Sequence, residues 1–177
     1  MPFFLRKIRK SKWYRHNDVP WLAEGELQAD ALRDLLTSSN QLSVWHIEDD
    51  RSNLERTIAA LAANVTDNSN FDYALFDQQI VYEIGIKVES KKTKGASPDE
   101  EVNSWHCDLI ELSASKLREL AKAIQTKAEI ERIQVQDVIQ LVAESISSGR
   151  IDRTKVKLKS EAIEKIDRVI ASKSRNN

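Results

Sequence analysis

Ile80-Val81-Tyr82-Glu83-Ile84-Gly85-Ile86-Lys87-Val88-Glu89 is the stretch on which the fold assignment turns. Ile80, Tyr82, Ile84, Ile86 and Val88 alternate with Val81, Glu83, Gly85, Lys87 and Glu89. A period of two gives an extended chain one apolar face and one mostly polar face, so the spacing predicts a half-buried strand over 80–89. A second strand is expected from about Val102 to Leu112, after the charged loop Ser90–Glu101 with its Gly95 and Pro98. The two would form a long-looped antiparallel hairpin.

Working towards the N-terminus, Ser52 and Glu55 have capping-box spacing. Leu54, Ile58, Leu61, Ala62 and Val65 then follow at helical intervals, and the polar run Thr66–Asn70 stops the helix. Leu42–Ile47 reads as a strand that ends at Glu48-Asp49-Asp50, and Leu27, Ala31, Leu32, Leu35 and Leu36 fit one helical face. Phe3–Ile8 is a short aromatic and branched strand, followed by a loop over Lys10–Pro20. Towards the C-terminus, Leu117, Leu120, Ala121 and Ile124 form a helical stripe. Thr126 with Glu129 suggests a new helix or a kink. Val135, Val138, Ile139, Val142 and Ile146 form the next stripe, with Gly149 as its stop. Arg153, Lys155, Lys157 and Lys159 alternate with Thr154, Val156 and Leu158, which predicts a lysine-protected edge strand. Ser160 opens a last helix that frays from Ser172. These elements predict an α/β (mixed α+β) protein with a small mixed or antiparallel sheet and packed helices over 1–125. A helical C-terminal portion, 126–177, follows, either separate or packed on the core as one unit.

The near-neutral net charge of −1 hides an uneven distribution. Residues 1–17 carry +6 and residues 149–177 carry +5, so the stretch between them carries −12. Two basic ends flank an acidic body, and they can grip a polyanion or fold back onto that body. The chain of 177 residues holds one Cys, four Gly and three Pro. One Cys excludes an internal disulfide and fits a reducing compartment, while so few turn residues argue against an all-β architecture. No apolar run approaches the length of a membrane span, and the N-terminus has the wrong order for a signal peptide. A cytoplasmic location without membrane contact is expected.

Three constellations could carry chemistry. Ser43-Val44-Trp45-His46 is echoed by Ser104-Trp105-His106, and the pairs His46/Glu48 and His106/Asp108 are each spaced i, i+2 on one strand face. Were their strands neighbours, two imidazoles and two carboxylates could meet on Zn²⁺ or Mn²⁺. The plainer reading is a buried Trp beside an outward or core-bonded His, with Cys107 on the opposite face as a small core residue. Second, Glu89-Ser90-Lys91 follows Asp72 and Asp77. This arrangement resembles the restriction-endonuclease-like superfamily, whose Asp and Glu-x-Lys hold Mg²⁺ and position water. The resemblance implies a metal-dependent nuclease using Asp77, Glu89 and Lys91. In that superfamily the motif sits mid-strand, whereas here it runs into Lys92-Thr93-Lys94-Gly95.

The third constellation is the basic ends. Arg6, Lys7, Arg9, Lys10, Lys12 and Arg15 interleave with Phe3, Phe4, Trp13, Tyr14 and Trp21, and Arg153, Lys155, Lys157 and Lys159 form a ladder at the other end. Cations neutralise phosphates and exposed aromatics stack on bases, so these ten residues are the candidate nucleic-acid contacts. No nucleophile elbow, Gly-rich phosphate loop or dinucleotide fingerprint is present. The sequence therefore favours a non-enzymatic cytoplasmic binding protein with no cofactor and no resident metal. It would act through a protein partner or self-association, with nucleic-acid binding and the nuclease as alternatives.

Overall fold

The computed structural model of the chain describes residues 1–13, 20–67, 69–90 and 97–174. The fold is mixed α/β, with a six-stranded sheet, packed helices and a helical C-terminal part. The strands are β1 (Phe3–Lys7), β2 (Leu42–Ile47), β3 (Phe71–Asp77), β4 (Lys87–Ser90), β5 (His106–Ile110) and β6 (Glu129–Ile133). They lie in the order β4-β5-β2-β1-β3-β6, and the ladders β1–β2, β1–β3, β2–β5 and β4–β5 are antiparallel. The α-helices are α1 (Leu54–Ala63), α2 (Gln78–Glu83), α3 (Glu100–Ser104), α4 (Ala114–Lys127), α5 (Val135–Ser147) and α6 (Ser160–Ser174). The chain forms two compact units, each drawn from three stretches. One comprises residues 1–50, 72–91 and 106–132; the other comprises 51–71, 92–105 and 133–177.

The first unit holds most of the sheet. One face presents Phe4, Val44, Ala74, Phe76, Cys107 and Leu109 to a core that also takes in Ile80 and Val81 from α2 and Leu120, Ala121 and Ile124 from α4. Phe4 and Phe76 pack with ring centroids 6.1 Å apart. Ala31 and Leu35 reach the same core from a 3₁₀ helix, Ala29–Leu35. In the second unit α1 packs on α5 and α5 on α6. Every residue from Thr57 to Ala63 is buried, and the Thr57 hydroxyl satisfies itself by donating to the Asn53 carbonyl one turn back (2.9 Å). Ile58, Val138, Val142 and Ile166 fill the interior of this unit.

The decisive stretch folds differently from its alternation. Gln78–Glu83 is the helix α2, and only Lys87–Ser90 is extended. Asp77 caps α2 by accepting the Gln79 N–H at 2.7 Å. The Gly85 N–H donates to the Tyr82 carbonyl and the Ile86 N–H to the Val81 carbonyl, with Gly85 at φ +71°. This is a Schellman stop, and it consumes backbone groups that a strand would have paired. The strand of this region lies upstream, as Phe71–Asp77, buried from Phe71 through Phe76. The expected hairpin survives in part, since β4 pairs antiparallel with β5, but Val102 belongs to α3.

Three further expectations change. Glu129 begins β6 rather than capping a helix, and the Thr126 hydroxyl donates within α4 to the Lys122 carbonyl at 2.8 Å. The cap of α1 is Asn53 rather than Ser52, with no side-chain cap bond. Arg153–Lys155 is a 3₁₀ turn, not an edge strand, because Asp152 accepts from both the Thr154 N–H (3.0 Å) and its hydroxyl (2.7 Å). The helix stop at Gly149 stands as expected. Gly149 lies at φ +73°, its N–H donates to Ile146 and that of Arg150 donates to Ser145, again a Schellman motif. No helix is long and apolar enough to cross a membrane among the described residues.

Candidate functional site

The basic N-terminus is tied into its own unit. Arg6 gives Nε and Nη2 to the Asp34 carbonyl (3.1 and 2.8 Å) and Nη1 to the Ser43 carbonyl (2.8 Å). Burial lowers its pKa and the nearby Asp34 charge works the other way. The Asp34 carboxylate accepts from the Arg9 backbone N–H (2.8 Å) and from Trp13 Nε1 (2.9 Å), and Lys12 Nζ stands 3.9 Å from it. Asp72 accepts the Lys10 backbone N–H at 2.7 Å and takes a two-point bond from Arg132, Nε at 2.7 Å and Nη2 at 2.8 Å. Trp13 and Phe4 are buried, so they are closed to base stacking. Lys7, Arg9 and Lys10 are exposed, and Arg15 and Tyr14 lie outside the described residues.

The C-terminal ladder meets acids within the second unit. Arg153 pairs with Asp167 (2.5 Å), Lys155 with Glu100 (3.6 Å) and Asp152 (3.9 Å), and Lys159 with Asp67 (2.6 Å). The hydrogen bond from Lys159 is the main reason that the Asp67 pKa lies below its ordinary value. Lys157 donates its backbone N–H to the Ala63 carbonyl and holds its side chain exposed. No strand face gathers the four cations.

The two His pairs do sit on neighbouring strands, but on opposite faces. Trp45 is opposite His106 and Ser43 opposite Asp108, whereas His46 shares its face with Phe4. His106 lies edge-on to Trp45 with centroids 5.4 Å apart, and the Ser43 hydroxyl donates to Asp108 at 3.2 Å. His46 Nδ1 stands 2.6 Å from Gln78 Nε2. Among the described residues, no three His, Cys, Asp or Glu side chains are grouped to hold a metal. Cys107 is buried in the core, 3.7 Å from the Ser90 hydroxyl, and burial pushes its thiol pKa up.

The nuclease residues do not converge. Asp77 caps α2 from the end of β3, while Glu89 lies on β4 opposite Asp108. Three strands separate β3 from β4, a spacing of about 19 Å, far beyond the reach of one cation. Lys91 lies outside the described residues.

A surface that the periodicity concealed lies over Pro20–Leu36. Trp21 and Leu36 are each 70% exposed and Leu32 is 37% exposed, while Leu22, Ala31 and Leu35 anchor the same segment by their burial. The expected helical face placed Leu32 and Leu36 in the core. A 3₁₀ helix has three residues per turn, so five apolar positions spaced for 3.6 cannot share its inner side. The signals available were Pro20 and Gly25, which interrupt the approach to that helix. No known protein family, curated protein or solved structure matches the chain.

Proposed function

We propose that the chain is a non-enzymatic binding protein that docks a protein partner on the segment Pro20–Leu36. The observation that carries this reading is the exposure of Trp21 and Leu36 on a backbone anchored by Leu22, Ala31 and Leu35. Single exposed apolar residues are ordinary in folded proteins. Here three of the five large exposed hydrophobics among the described residues fall within one segment. A fixed backbone presents them without an ordering cost at binding, and Trp is the residue type most often dominant in protein interfaces. The location that fits is the cytoplasm, where the lone buried Cys107 stays reduced.

A photo-crosslinking amino acid at position 21, with another at exposed Glu161 as control, tests this in native lysate. A discrete protein adduct from position 21, absent from position 161 and unchanged by nuclease, is expected; a second copy of the chain would qualify. An adduct that disappears on nuclease treatment would favour nucleic-acid binding instead. Equal labelling from both positions would refute the docking surface.

A further inference from the structure

We infer that the partner presents a basic amphipathic segment to Pro20–Leu36, an inference that rests on the docking reading above. The segment holds Glu24, Glu26, Asp30 and Asp34 against a single cation, Arg33. Asp34 is committed inward to Trp13 and the Arg9 backbone, so it takes no part. Glu24, Glu26 and Asp30 are exposed, and among the described residues neither Glu24 nor Asp30 forms an ion pair. Acids without counter-charges in the same segment as an exposed Trp and two exposed Leu are complementary to a chain that combines apolar residues with Lys or Arg. The apolar groups supply contact area and the acids supply orientation and steering.

The test uses three labelled 18-residue peptides with one helix-period leucine stripe and Lys, Gln or Glu elsewhere. Binding to the full chain is read by anisotropy, and acrylamide quenching reports Trp21 directly, since it is the Trp most exposed to quencher among those described. The Lys peptide should bind, weaken with salt and shield Trp21. Trp21→Ala or Leu36→Ala should weaken it about ten-fold, as truncation of a central interface anchor does. Glu24→Lys with Asp30→Lys should weaken it comparably, whereas the equal charge change Glu119→Lys with Glu161→Lys should not. Equal binding of the Lys and Gln peptides, still lost in Trp21→Ala, would overturn the charge inference and leave the docking reading standing. Equal weakening by the control pair, or no binding of the Lys peptide at low salt, would also overturn it. In either case the crosslinking result decides the docking reading separately.

Discussion

Replacing Asp72 with Ala should destabilise the protein by about 2 kcal/mol at neutral pH, and the figure follows from the geometry. Asp72 is 7% exposed and accepts three hydrogen bonds, from the Lys10 N–H and from Arg132 Nε and Nη2. Breaking a fully buried ion pair costs roughly 3–5 kcal/mol, because the remaining charge is stranded. A surface pair is worth roughly 0–1 kcal/mol. The Arg132 side chain is 38% exposed and can turn to water, which sets the value between these limits. Asp72→Asn should cost nearly as much, since an amide turned towards three donors must present its own NH₂ to at least one of them. Urea unfolding of the single variants and of the double variant with Arg132→Ala would measure the pair directly, with a coupling of about 1–2 kcal/mol expected. Two effects oppose each other in the Asp72 pKa. Burial raises it, but the bonds from Arg132 and the Lys10 backbone outweigh burial and hold it below the ordinary carboxylate range. A depressed native pKa means that this stability is fully present above about pH 4, the unfolded value, and is lost as pH falls towards the native one. The gap between wild type and Asp72→Asn must therefore narrow on acidification. A coupling under about 0.5 kcal/mol, or a gap that widens in acid, would refute the reasoning.

Two further perturbations probe the second unit. Asp99 is 1% exposed, binds Arg56 at two points (2.7 and 3.0 Å) and caps α3 through the Glu101 and Val102 N–H groups. Asp99→Ala should cost about 3 kcal/mol, combining a lost cap with an Arg56 that keeps only its bond to the exposed Glu101, and Asp99→Asn, which keeps the cap acceptor, clearly less; chemical denaturation would rank them. Gly149→Ala should cost about 1 kcal/mol from backbone strain alone, because its φ is +73° and an added Cβ would meet no atom within 4 Å. A loss above about 3 kcal/mol in a melt would mean a steric clash rather than strain.

What the sequence made legible was each element with a strong local signal and a local partner. The stripes of α1, α4 and α5 and the strands β1 and β2 were read close to where they lie, because 3.6-residue and two-residue periods express burial directly. The stretch Ile80–Val88 was misread because Ile80, Val81 and Ile84 fit a helical turn as well as the alternation does. The deciding signals were the cap Asp77 and the stop Gly85, not the apolar pattern. β3 carries no such periodic signal: Phe71–Phe76 is buried at every position, the charged Asp72 included, so apolar and polar residues do not alternate along it. The candidate ligands failed at a longer range. Sequence placed His46 and His106 on strands that do adjoin, yet facing depends on register, and the Trp45–His106 register joins positions 61 residues apart in the chain. The same holds for the cations, since Lys159 meets Asp67 and Lys155 meets Glu100 through tertiary folding that no local spacing encodes.

Two kinds of surface compete to explain this chain, and their energies differ. At the N-terminus, Arg6 already spends its guanidinium on two backbone carbonyls, and Lys12 beside Asp34 has little contact with water. A phosphate recruiting these groups would have to break existing hydrogen bonds. At the C-terminus, Lys155 and Lys159 hold exposed acids in solvent-screened pairs that a polyphosphate could displace. With the exposed Lys157 between them in sequence, that end offers a polyanion an inexpensive grip. The segment around Trp21 and Leu36 offers more. Each large apolar side chain taken from water contributes roughly 1.5–3 kcal/mol, so two contribute about 3–6 kcal/mol before the entropy of association is subtracted. The backbone beneath them is anchored by Leu22, Ala31 and Leu35, so little of that gain is lost to ordering the segment. Salt screens the exposed lysines and leaves apolar contacts intact, and this difference at physiological ionic strength is the physical ground for proposing a protein partner ahead of a nucleic acid.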